Sequence, residues 1–108
     1  LDLAATYVIL PDNIGHGGSS KPSDGLRMRF PRYGYADMVA AQKRLLEEGL
    51  GVRSLRAIIG TSMGCMHAFV WGTSYPGFAE RLAPFACQAV EIAGRNRVWR
   101  KMAIDAIK

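Results

Sequence analysis

One pentapeptide has the residue types and spacing for covalent chemistry: Gly60-Thr61-Ser62-Met63-Gly64. It fits the pattern G-x-S-x-G, which places a serine on a sharp strand-to-helix turn so that its hydroxyl projects above a sheet. The flanking Gly60 and Gly64 are expected to leave room where side chains would collide with the neighbouring strand and helix. The backbone N–H of Met63, at the start of the helix, would point into the site and stabilise an oxyanion with help from the helix dipole. The chemistry this implies is attack of the Ser62 hydroxyl on an acyl carbon, giving an acyl-serine intermediate.

A serine nucleophile needs a base and an orienting acid, which in this kind of site follow it in the order acid, then histidine. After Ser62 the only acids are Glu80, Glu91 and Asp105, and the only histidine, His67, is too close in sequence. Both partners are therefore expected outside these residues, as is a second N–H to complete the oxyanion hole with Met63. His16 lies in a glycine loop and reads as a loop residue rather than a base. His67 reads as a hydrogen-bonded core histidine. Gly15-His16-Gly17-Gly18 has neither the third glycine of a dinucleotide fingerprint nor the lysine of a phosphate loop. Asp12 suits a turn and Asp37 the first turn of a helix. Cys65 is set aside as a nucleophile because the tight turn presents the serine.

The elements that must position Ser62 follow from periodicity. Ala4 to Leu10 is a short β-prone run and predicts a strand, closed by Pro11-Asp12-Asn13. Tyr35, Met38, Val39, Gln42, Leu45 and Leu46 form one helical stripe, with Gly49 as its left-handed stop. Leu55 to Ile59 predicts a parallel strand covered on both faces. A largely apolar helix should run from Met63 to about Ser74, ended by Tyr75-Pro76-Gly77. Leu82 to Val90 predicts a third strand, weakened by Pro84. Asn96 would cap a last helix with Val98, Trp99, Met102, Ala103 and Ala106 inward. Strands alternating with helices make the fold class α/β with a parallel, incomplete sheet. Its uncovered surface, the absence of an initiator methionine and a helical pattern still running at Ile107 predict that residues 1–108 are one fragment of a larger domain.

Composition narrows the function classes. Of 108 residues 49% are hydrophobic and 21% charged, which excludes a disordered tail or a coiled coil. The longest apolar run, Leu3 to Leu10, is far short of the roughly 18 residues of a membrane span, so no membrane partner is expected. The net charge of +5 raises a nucleic-acid partner. The arginines and lysines are scattered and lack interleaved aromatics, so none is expected. Cys65 and Cys87, with His16 and His67, fit no metal spacing; no metal or redox cofactor is expected. Two cysteines make no disulfide framework, so reduced thiols in a cytoplasmic protein are the expectation.

Gly60-Thr61-Ser62-Met63-Gly64, then Met66 and the helix ending in Tyr75-Pro76, resembles the α/β-hydrolase fold. More narrowly, Phe30-Pro31, Asp37-Met38-Val39, Ala41-Gln42-Lys43 and Leu45-Leu46 are similar to the homoserine O-acetyltransferase branch. Val98-Trp99-Arg100 with Ala103-Ile104 resembles the segment of that branch whose arginine binds the substrate carboxylate, which would make Arg100 the clamp. Pro11 to Ser20 resembles the corresponding loop of general α/β-hydrolases and esterases. The resemblance implies a serine-dependent enzyme acting on a small-molecule ester or acyl compound, with Ser62 acylated and Met63 in the oxyanion hole. Its acceptor would be water in an esterase, or homoserine, with acetyl-CoA as acyl donor, in an acetyltransferase. A non-catalytic binding or scaffold fragment is the third reading, the fragment by itself is expected to be inactive, and the resemblance leaves room for a homodimer.

Overall fold

Two parallel strands and the helix that connects them form the centre of the molecule, which a computed structural model describes over residues 2–108. Strand β1 is Ile58–Thr61 and strand β2 is Leu82–Phe85, paired in register from Ile58 with Leu82 to Thr61 with Phe85. An isolated bridge from Leu55 to Ala79 extends the pairing towards their N-terminal ends. Parallel neighbours need a crossover, and α2, Met63–Ser74, supplies it. Helix α1, Tyr35–Arg44, packs against α2 and runs on through a wide π-turn, Leu45–Gly49. The carboxylate of Asp37 accepts the N–H of Gly34 at 2.8 Å, holding the start of α1. Ion pairs Lys43–Glu47 and Arg44–Glu48 span the passage from helix to π-turn. Hydrogen bonds from Arg44 lower the Glu48 carboxyl below its ordinary pKa.

Val39, Leu46 and Trp71 form the buried core, with Ile58, Val70 and Phe78 packed around it. Trp71 brings an indole N–H into this apolar space, and a buried donor needs an acceptor. Gln42 provides it: its Oε1 accepts from Trp71 Nε1 at 3.0 Å, while its Nε2 donates to Asn13 Oδ1 at 2.6 Å. One side-chain amide thus ties the 11–20 loop to both helices. Replacing Gln42 by leucine leaves the indole N–H and the Asn13 oxygen unpaired, and should cost about 1–3 kcal/mol in urea unfolding. An unchanged midpoint would show that the bridge contributes nothing.

Several expectations are corrected. Residues 4–10 are not a strand, because no neighbour pairs with them among the described residues, and Tyr7 and Leu10 are exposed. Short 3₁₀ turns occupy Pro22–Asp24 and Arg27–Arg29 ahead of α1. The left-handed residue after α1 is Gly51 (φ 68°), not Gly49, since the π-turn carries the chain two residues further. β2 stops at Phe85 rather than Val90, because Ala86 turns left-handed at φ 58°. Helix α3, Arg95–Ile107, is capped at Gly94, with Asn96 inside its first turn. Its apolar side, including Val98, Trp99 and Met102, is exposed, and it packs on no other helix or strand among the described residues. The sheet is covered on one face only: Ile59 and Phe85 stand open on it. Among the described residues no helix is long and apolar enough to cross a membrane.

The cysteines are also not separate thiols. Cys65 and Cys87 form a disulfide with Cα atoms 5.9 Å apart. The topology explains the meeting. Parallel neighbours end side by side, so residues just beyond the C-terminal end of β1 lie next to those just beyond β2.

Candidate active site

Ser62 is the single residue between β1 and α2, and its backbone sits at φ 54°, ψ −115°. A non-glycine residue there is strained and persists only where its surroundings over-determine it. Three contacts do so. Ser62 N–H donates to Phe85 O at 3.0 Å, and its carbonyl accepts the N–H groups of Cys65 at 3.1 Å and Met66 at 3.3 Å. A Cβ built on Gly60 would stand 2.8 Å from the Cys65 nitrogen and closer still to the Gly64 carbonyl. That position therefore excludes any side chain. Gly64 differs from expectation, since a Cβ there would meet nothing among the described residues.

The Ser62 residue is exposed, and its side chain makes no capping bond to α2. A serine before a helix ordinarily spends its oxygen on the N-terminal amides. Here the oxygen makes no such bond and no other among the described residues. The Met63 amide, in the first helical position, has no acceptor within the helix and none among the other described residues. A free hydroxyl beside a free helix N-terminal donor is the local equipment for attack on a carbonyl and for holding the resulting oxyanion.

The expected site residues are not all together. Gly60, Ser62, Met63 and Gly64 share one turn, whereas Arg100 lies on α3, in the wall of a cleft of about 640 Å³. Met66, Phe69 and Val70 of α2 form its apolar side. Ser62 is not in the lining, whereas Met66, four residues further along the chain in the first turns of α2, is. Arg97 and Tyr35 also line the cleft and were not singled out from the sequence. The spacing of Arg97 and Arg100, three residues apart on one helix, could have revealed the first. Neither arginine forms an ion pair among the described residues.

His16 sits in an exposed turn, where it donates its backbone N–H to Asn13 O at 2.9 Å. Asp12 holds the same loop by accepting from Gly18 N–H at 2.8 Å. His67 is buried on α2, edge-on to the Tyr35 ring at 5.0 Å, but its Nε2 has no hydrogen-bond partner. It is core, as expected, without the expected bond at that atom. Burial lowers its pKa below the usual value of about 6.5. The unfolded chain then binds the proton more readily, so stability is full above about pH 6.5 and falls as pH drops through and below that value, by at most ~1.4 kcal/mol per unit. His67→Phe should remove that part of the acid slope, measured by urea midpoints between pH 7.5 and 5. An identical slope in the variant would refute the assignment.

Residues 4–89 match the family model described as the alpha/beta hydrolase fold. A homoserine O-acetyltransferase of Nautilia profundicola is 40% identical over 95 residues, covering 80% of this chain and 26% of the relative. An ethyl acetate hydrolase of Pseudomonas veronii is 36% identical over 111 residues, covering 99% and 32%. A crystal structure of an acetylester hydrolase from Corynebacterium glutamicum superposes with a TM-score of 0.74 at 29% identity, over 83% of this chain and 27% of that one. The chain thus spans about a quarter to a third of the length of these relatives.

Proposed function

Because this chain belongs to the alpha/beta hydrolase fold family, in its homoserine O-acetyltransferase-like branch, we propose that the full-length protein is a serine-dependent acyl-transfer enzyme that works through an acyl-Ser62 intermediate. The observation that carries the reading is the strained, exposed Ser62 with its hydroxyl unspent. In the first half-reaction the Ser62 oxygen attacks the acyl carbon and the Met63 N–H donates to the developing oxyanion. A histidine and its acid from outside residues 1–108 take the hydroxyl proton and return it to the leaving group. Water then accepts the acyl group, giving an esterase-like hydrolase of small acyl esters. Two relatives favour water: the ethyl acetate hydrolase matched over 99% of this chain and the acetylester hydrolase of similar fold. The reading calls on no metal, redox cofactor, nucleic acid or membrane.

The second reading, acetyl transfer from acetyl-CoA to homoserine, is favoured by Arg100, which lines the same cleft as Met66 and forms no ion pair among the described residues. A guanidinium fork there would clamp the acceptor carboxylate. A substrate panel separates the two. The full-length protein should hydrolyse p-nitrophenyl acetate without an acceptor, and the isolated 108-residue chain should not. Turnover only with acetyl-CoA and homoserine together would reverse the order of the readings. In that case Arg100→Ala should raise KM for homoserine by about tenfold or more, the value of a charge-assisted pair.

A further inference from the structure

The disulfide takes no part in the chemistry above, yet the structure wraps it around Ser62. From Ser62 the chain passes through Met63 and Gly64 to Cys65, crosses to Cys87, and returns through Ala86 to Phe85. Phe85 O accepts the Ser62 N–H at 3.0 Å and closes the ring. Two members of this ring, Ser62 at φ 54° and Ala86 at φ 58°, are non-glycine residues in the left-handed region. Such a conformation relaxes unless something holds it. Ala86 is held between the Phe85 hydrogen bond on one side and the disulfide on the other. Beyond Cys87, Val90 and Ile92 form part of the cleft wall.

We propose that the Cys65–Cys87 bond is a redox-sensitive clamp that positions Ser62 and the cleft wall. Closed, it keeps Ala86 left-handed and Phe85 O on the Ser62 amide. Opened, it lets Ala86 relax, and the Ser62 anchor loosens with it. Opening requires a dithiol reductant. Its thiolate attacks the sulfur of Cys87, which is only half-buried, whereas Cys65 is fully buried. The S–S bond breaks and Cys65 leaves as a thiolate that takes up a proton. The second thiol of the reductant then displaces Cys87, and the reductant departs as a disulfide, two electrons and two protons having passed to the pair. The clamp rests on the proposed function only for what Ser62 does, not for the geometry.

The test uses the full-length protein, oxidised and after dithiothreitol, with circular dichroism confirming that the helices persist. Hydrogen exchange of the Ser62 amide reports the anchor, and the rate of Ser62 labelling by a fluorophosphonate reports its positioning. Reduction should speed that exchange and slow that labelling by about tenfold each, the factor corresponding to one left-handed non-glycine residue. Cys87→Ala should behave as reduced under both conditions. Ala86→Gly, which adopts the left-handed conformation without penalty, should shrink the oxidised-to-reduced difference. Ser62 exchange unchanged by reduction overturns the clamp, whatever the labelling shows. Exchange that rises while neither state labels supports the clamp and overturns the nucleophile reading instead.

Discussion

Ser62→Ala in the full-length protein is expected to lower kcat for ester turnover by about four to six orders of magnitude, the loss seen when a serine nucleophile is removed from a triad. The expectation is sharp because the substitution removes little else. The residue is exposed, and its side chain makes no capping bond to the helix it precedes. Its held groups are backbone atoms, N–H to Phe85 and carbonyl to Cys65 and Met66, which alanine retains. The left-handed φ is equally costly for both residues. Stability should therefore change by no more than ~0.5 kcal/mol, the usual range for an exposed site. Activity surviving in a folded Ser62→Ala protein would place the nucleophile elsewhere.

Gly60→Ala should give the largest stability loss, about 3 kcal/mol or more in urea unfolding. The neighbours in the way are backbone, the Gly64 carbonyl and the Cys65 nitrogen, rather than a side chain able to swing aside. The first turn of α2 would have to move, and Ser62 with it, so activity should fall as well. Gly64→Ala is the control: its Cβ meets nothing among the described residues, and its effect should be much smaller. Equal losses at the two positions would show that crowding at the elbow is not what requires Gly60.

The contrast between these glycines shows where sequence reasoning reaches its limit. The elbow was legible because G-x-S-x-G, a preceding apolar run and a following helical pattern are all local. The bounds of α2 came out as read for the same reason. Residues 4–10 carry the β propensity of a strand, but a strand is made by its neighbour, and none is present among the described residues. Pairing of Cys65 with Cys87 depends on the adjacent ends of two parallel strands, a fact of topology that residue counting does not hold. Gln42 likewise looked like one polar member of a helical stripe. Its role appears only when Asn13 and Trp71 arrive on either side of its amide. Arg100 reached a cleft that Met66 also lines, rather than the elbow itself. Its helix stands exposed, so a sequence pattern that predicts an inward face cannot say what that face meets.

The most direct measurement is mass spectrometry of the full-length protein quenched during turnover of an acetyl ester. Acetylation should appear on the tryptic peptide carrying Ser62, at that oxygen, and vanish in Ser62→Ala. An acetyl group found on another residue, or rapid turnover with Ser62 never modified, would contradict the account at its centre.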